Sequence, residues 1–169
     1  MLNKINLKIL KKKYLNKKYL SWINDRSNQK YTEIKKKYTL SDLKEYFNDN
    51  KKKKQFGIFY NNIRHIGNIN IKSISKTKCY VGYLVGDKKF RSKGVASKAV
   101  KLAIKKCFDY YNYKFIYSNS DIKNLASLKV LINNNFQPLN KIPIFLKTAK
   151  TNRKLRYFLL SKREYEDLN

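Results

Sequence analysis

Glycine is scarce in this chain, with five in 169 residues, and cysteine and histidine are scarcer, with two and one. Two cysteines in a domain of this length build no disulfide framework. Cys79 and Cys107 also lack any metal-ligand spacing, so both read as packing residues. No stretch approaches the ~18 consecutive apolar residues of a membrane-spanning helix. Met1 to Lys13 carries no apolar core with a small-residue cleavage site, so the expectation is a soluble, cytoplasmic protein. The phosphate loop G-x-x-x-x-G-K-[ST] is missing, and so is the three-glycine dinucleotide fingerprint. Acid is short as well: 11 Asp and Glu stand against 40 Lys and Arg, for a formal net charge of +29.

What is present supports a folded domain. Hydrophobic residues make up 42% and aromatics 14%, spread along the whole length, which is enough for a core and argues against disorder. The length fits one domain over residues 1–169. A charge of +29 attracts any polyanion through its long-range field. The lysines, however, are scattered over Lys11 to Lys13, Lys35 to Lys37, Lys51 to Lys54, Lys105 and Lys106, and their frequent companions are Asn, Ile and Tyr. An A/T-rich coding sequence supplies that mixture. A non-catalytic nucleic-acid-binding module is the reading from a different class. It lacks a clustered basic and aromatic strip, so contact with nucleic acid is expected to be non-specific only.

Periodicity gives one alternating order of elements. Ile5 to Leu10 reads as a strand and Asn16 to Asn24 as a helix ending at Asp25, with Trp22 in the core. Thr39 and Asp42 have capping-box spacing ahead of a second helix. Strands Gln55 to Tyr60 and Arg64 to Ser73 join through Asn61-Asn62, which tolerates the positive φ of a tight hairpin. Cys79 to Val85 is the next strand. Val95, Ala99, Ala103 and Cys107, with Val100, Ile104, Phe108 and Tyr111, then form an apolar stripe at helical spacing. Phe115 to Ser118 reads as a strand and Leu125 to Asn134 as a helix. Ile144 to Lys147 and Leu155 to Leu160 read as a closing antiparallel pair, and Ser161 with Glu164 as a terminal cap.

Three of the five glycines, Gly82, Gly86 and Gly94, fall within thirteen positions, where a strand passes through "RSKGVAS" into the long helix. A strand, a short glycine loop and a helix N-terminus gather unpaired backbone N–H groups and the positive end of the helix dipole, which is an anion site. The pattern left there is R-x-x-G-x-A, at Arg91, Gly94 and Ala96. In this setting it resembles the acetyl-CoA site of the GNAT superfamily of N-acetyltransferases. The resemblance extends to "NLASLKVLINNNF", Asn124 to Phe136. It also covers "YLSWIND" and "HIGNINI", which are similar to the branch of ribosomal-protein and amino-sugar acetyltransferases. It implies a mixed α/β fold: a central, mostly antiparallel sheet with splayed middle strands, flanked by helices.

Acetyl-CoA is the implied cosubstrate, without a metal. The N–H groups of Arg91, Ser92, Lys93, Gly94, Val95, Ala96 and Ser97 would hold its pyrophosphate, with charge from Arg91 and Lys93. The backbone of Leu84 and Val85 would bond the pantetheine arm, and Asn124 and Ser127 would reach the pantetheine or the thiol. Two departures stand out. Leu131 occupies the position where many members carry a proton-donating tyrosine, which leaves protonation of the departing thiolate to water or to Ser127 as a catalytic residue, and Tyr80 stands where many carry a carboxylate base. Asn135 replaces the usual glycine before Phe136, and Asn also suits the left-handed cap.

Candidates for the base are His65, acting through water, with Glu33 and Asp25. Their ordinary readings are a solvent-exposed hairpin histidine and surface carboxylates. Deprotonating a lysine-like amine at pH 7 costs about 4.6 kcal/mol, and an amine of pKa near 7.8 about 1.1 kcal/mol. A site without a dedicated base therefore favours a weakly basic primary amine. The expected acceptor is a small molecule, an amino group on a nucleotide-linked sugar, with the N-terminus of a ribosomal or other protein as the alternative.

Overall fold

The computed structural model describes residues 1–31, 36–48, 53–146 and 154–167. Its centre is a seven-stranded sheet in the order β1-β2-β3-β4-β5-β7-β6. β1 (Ile5–Ile9), β2 (Lys53–Tyr60), β3 (Arg64–Ser73) and β4 (Lys78–Val85) form an antiparallel meander. β5 (Phe115–Asp121) joins β4 in parallel, and β7 (Leu155–Ser161) returns antiparallel between β5 and the two-residue β6 (Gln137–Pro138). The mixed, mostly antiparallel sheet is the expected one.

The helices begin where side chains can serve their unpaired N–H groups. Asn16 accepts from Tyr19 N to open α1 (Lys17–Ile23), and Asp25 accepts from Ser27 N to open the short α2 (Arg26–Gln29). Thr39 and Asp42 exchange the capping bonds of α3 (Leu40–Asn48), and Ser161 with Glu164 forms a full capping box for α6 (Lys162–Glu166). Between them lie α4 (Val95–Lys105), continued by a π turn over Lys106–Tyr110, and α5 (Leu125–Ile132). Asn61 and Asn62 both have positive φ, 50° and 62°, in the turn between β2 and β3. Asn135, at φ 63°, ends α5 in the left-handed cap that the sequence predicts.

The main core lies between the sheet and α4 with α5. It contains Ile69, Ile71, Val81, Ala99, Ala103, Phe108, Ile116 and Phe136. Cys79 and Cys107 are wholly buried in it as free thiols. A second cluster, Leu10, Leu15, Tyr19, Trp22 and Leu43, seats α1 and α3 elsewhere on the sheet and puts Trp22 in a core, as expected. The expected closing pair needs correction. Ile144–Leu146 is a 3-10 turn, Lys147 lies outside the described residues, and the partners of β7 are β5 and β6.

The end of β4 is held against β3 by a bulge and a glycine. Ile66 is an extra residue in β3, because Ile58 pairs with Gly67 and Phe59 with His65. Its carbonyl accepts from both Gly86 N and Asp87 N at 3.0 Å, which ties the end of β4 to β3. Beside it, a Cβ on Gly67 would come within 2.3 Å of the Leu84 carbonyl oxygen. Gly67→Ala is therefore expected to force β3 and β4 apart and cost about 1–3 kcal/mol in urea denaturation. A midpoint equal to that of the wild type would refute this tight approach.

Candidate functional site

β4 and β5 pair through only three residues each, Lys78–Tyr80 with Phe115–Tyr117, although both strands continue well beyond. Past that point they part. Ser118 Oγ donates to the Val81 carbonyl at 2.9 Å across the fork, and Tyr80 Oη donates to Asn119 Oδ1 at 2.9 Å. Between the parted strands runs a cleft of about 1080 Å³. One wall is Gly82 to Val85 of β4, the other Ser118 to Asp121 of β5. The N-terminus of α4 and the first turns of α5 close it on the core side. Ser27, Asn28 and Tyr31 from the α2 region, Lys72 and Ile74 from β3 and beyond, and Phe145, Leu146 and Leu155 border it elsewhere.

The turn into α4 is an anion cradle by construction. Ser92 and Gly94 have φ of 56° and 73°, left-handed values that fold the loop back under the helix. The first backbone bond of α4 is from Lys98 N to Gly94 O at 3.0 Å. The N–H groups of Val95, Ala96 and Ser97 are thus without intrahelical partners, and all three residues line the cleft. These residues fit the pyrophosphate of a coenzyme A donor. A Cβ on Gly94 would meet Leu2 Cδ1 at 3.3 Å. A side chain there would be strained at this φ and would press on the end of the Leu2 side chain.

Most of the predicted donor residues come together: Leu84, Val85, Arg91, Ser92, Gly94, Val95, Ala96, Ser97, Asn124 and Ser127 all line this cleft. Lys93 does not. Arg91 is present with a different job. Its Nε donates to Val85 O at 3.0 Å, Nη2 to Gly86 O at 3.0 Å and to Asn28 Oδ1 at 2.9 Å, and Nη1 to Ser27 Oγ at 3.0 Å. Four of its five donors are engaged within the protein, and the guanidinium locks α2 onto the end of β4. Asn124 caps α5 by accepting from Ser127 N at 3.2 Å, the ordinary role of an Asn before a helix.

The candidates for acid and base fall out differently. His65 is 8% exposed and absent from the cleft lining. Its ring stacks on Phe59 at 5.2 Å and is met by Tyr14, Tyr19 and Trp22, while Nε2 donates to Asn68 Oδ1 at 3.0 Å. The solvent-exposed histidine and the cleft base are both corrected to a packed core histidine. Glu33 lies outside the described residues. Asp25 caps α2 and pairs with Lys88 at 2.8 Å, which holds its carboxyl well below the usual range. Leu131 is fully buried in the main core and does not face the cleft. Among the described lining residues Asp121 is the one carboxylate, and its Oδ1 accepts from Lys123 N at 2.9 Å. The sequence reading missed Tyr83. Its Oη lies 2.8 Å from Ser127 Oγ inside the cleft, and the alternation of β4 alone does not announce it.

A forked sheet with a helix N-terminus beneath the fork suits an elongated ligand that carries phosphate. A family model described as an acetyltransferase (GNAT) domain matches residues 7–137. The chain belongs to this GNAT acetyltransferase family, and is an acetyl-CoA-dependent N-acetyltransferase. A spermidine N-acetyltransferase from Vibrio cholerae, solved with CoA and spermine, superposes with a TM-score of 0.83 at 15% identity over 99% of both chains. An aminoglycoside acetyltransferase bound to coenzyme A gives 0.79 at 14% identity, over 96% of this chain and 98% of that one. A GNAT acetyltransferase from Bacillus anthracis gives 0.77 at 17%, over 95% and 96%. At such identities the likeness speaks for the fold alone. No curated protein matches the chain. Among the described residues no helix is long and apolar enough to cross a membrane, and no group of three His, Cys, Asp or Glu could hold a metal.

The buried histidine predicts a pH dependence of stability. Burial lowers the His65 pKa below its ordinary 6.5, more than its hydrogen bonds raise it. The unfolded chain therefore binds the proton first, and stability is complete above pH 6.5 and falls as the pH drops toward the folded value. Between pH 7 and 5 the loss in urea denaturation approaches at most about 1.4 kcal/mol per pH unit below 6.5. In His65→Gln this slope should disappear between pH 7 and about 5.5, leaving only the carboxylate contribution that sets in near pH 5; an undiminished slope would assign it to other groups.

Proposed function

We propose that this single domain, residues 1–169, transfers acetyl from acetyl-CoA to the primary amine of an anionic small molecule, a nucleotide-linked amino sugar. The observation that carries the reading is the charge of the cleft. Its described lining offers Lys72, Arg91 and Lys129 against a single carboxylate, Asp121, within a chain of net charge +29. The fold is shared with proteins solved with spermine or kanamycin. A polycation entering here would meet like charge, whereas a diphosphate would meet lysine. Long-range attraction to the same field would also favour coenzyme A, itself a polyanion, and the cytoplasm supplies it.

In the proposed mechanism the N–H groups of Val95, Ala96 and Ser97 grip the donor pyrophosphate at the helix N-terminus. The parted end of β4 about Leu84 and Val85 receives the pantetheine, although the Leu84 carbonyl faces Gly67 of β3 and the Val85 carbonyl is held by Arg91; Asn124 stands opposite, and Ser127 at the thiol. The acceptor approaches along the end bordered by Tyr31, Lys72 and Phe145. Transfer is direct, within a ternary complex. A weakly basic amine enters neutral often enough that no strong base is needed, since deprotonation costs about 1.1 kcal/mol at pKa 7.8.

Steady-state rates with acetyl-CoA should favour a UDP- or dTDP-linked amino sugar over spermidine and kanamycin by tenfold or more in kcat/KM, the margin shrinking with added salt. Lys72→Glu should narrow or invert that order. Faster turnover of spermidine or kanamycin by the wild-type enzyme, or faster acetylation of an alanine-starting peptide than of any nucleotide sugar, would overturn the reading.

A further inference from the structure

Acyl transfer from a thioester must protonate the departing sulfur, and Leu131, where the resemblance implies a tyrosine, has no proton to give. Leu131 is wholly buried among core residues. The cleft nevertheless has a phenol. Tyr83 projects from the parted half of β4, and its Oη lies 2.8 Å from Ser127 Oγ and 3.1 Å from the Ser127 carbonyl oxygen on α5. Tyr83 and Ser127 both line the cleft, Tyr83 on the β4 wall and Ser127 on the α5 side. With its carbonyl accepting the phenolic proton, or its hydroxyl doing so, Ser127 retains a rotatable O–H that can turn into the cleft.

We propose that Tyr83 and Ser127 form the proton donor for the departing thiolate, a hydroxyl pair that joins β4 to α5. The proposal rests on the acetyl-CoA reading of the cleft but on no particular acceptor. The amine nitrogen bonds to the thioester carbon and the C–S bond breaks with its electron pair to sulfur. Ser127 Oγ gives its proton to sulfur and takes the one on Tyr83 Oη. The phenol recovers a proton from the one that the amine nitrogen sheds, through water in the cleft. One proton thus moves from nitrogen to sulfur, and nothing is oxidised or reduced.

The environment keeps the donor loaded, at a cost in acid strength. Burial pushes the Tyr83 phenol up to about 12, with the Ser127 hydrogen bond pulling the other way. A phenol of this kind remains protonated through neutral and moderately alkaline pH, so the donor imposes no falling limb on kcat there.

The test separates donation from scaffolding. Tyr83→Phe removes only the hydroxyl, and Ser127→Ala removes the relay. With any amine that the wild type acetylates, each should lower kcat on the order of 100-fold with KM for acetyl-CoA little changed. The double variant should be no worse than the slower single one, because the two act as a unit. Titrating the thiol of bound CoA by its thiolate absorbance needs no acceptor. Each variant should raise that apparent pKa by about one unit, since a donor to sulfur favours the thiolate. Desulfo-CoA, which has no sulfur, should bind the wild type and both variants alike. Unchanged kcat with unchanged thiol titration would overturn the proposal. So would a parallel loss of desulfo-CoA binding, which would make the pair a strut. Should Tyr83→Phe fail to fold, Ser127→Ala gives every readout alone. Failure of CoA and desulfo-CoA to bind the wild type would instead count against the acetyl-CoA reading.

Discussion

The parting of β4 from β5 after three paired residues is the constraint on which the site depends. Sheet strands ordinarily stay paired because an unpaired backbone edge needs other partners. Here the opening is held from both sides. Ser118 bridges its base to the Val81 carbonyl, and the Ile66 bulge gives the end of β4 a double anchor on β3. Arg91 then takes up the carbonyls of Val85 and Gly86 and ties them to α2. With β4 fixed on its far side, the edges facing the fork can stay open for a ligand. The helix N-terminus at Val95 sits beneath that opening, so one rupture in the sheet supplies both the slot and the phosphate cradle.

Four of the described acids of this basic chain serve its architecture. Asp25 and Asp42 cap helices while pairing with Lys88 and Lys36, and Glu164 completes the capping box of α6. Asp87, 8% exposed, takes Arg64 at 2.9 Å and caps the turn that leads to Arg91. Such carboxylates have their lone pairs committed and cannot serve as bases in the cleft. The surplus of lysine is consequently unbalanced there too, whatever its genetic origin, and the character of the cleft follows from what few acids remain.

Local chemistry was legible in the sequence wherever a residue acts on its own neighbourhood. The caps at Thr39 and Ser161, the Asn61-Asn62 turn, the left-handed Asn135 and the glycine loop before α4 all depend on contacts within a few residues, and each appears as read. The misreadings share one cause, contact between distant segments. His65 lies beside a hairpin turn, but Tyr14, Tyr19 and Trp22 fold over it from the first twenty-two residues. Arg91 sits in the expected loop, yet Ser27 and Asn28, more than sixty positions away, take its guanidinium. β6 is two residues long and exists only because β7 pairs with it, while Ile144–Leu146, apolar enough for a strand, has no strand partner among the described residues and forms a 3-10 turn.

The same distinction explains why Leu131 misleads. Counting seven residues from Asn124 finds the position along a helix, but what a residue does depends on the wall it faces, and α5 turns Leu131 into the core against the sheet. A phenol at that point would have to displace packed neighbours. β4 offers the other wall of the cleft, and on it alternation sends Tyr83 toward α5 while Tyr80 packs into the cluster of Tyr117, Leu146 and Tyr157. The hydroxyl that we propose for the departing thiolate thus comes from the strand and reaches α5, in a chain whose helix spends Leu131 on the core.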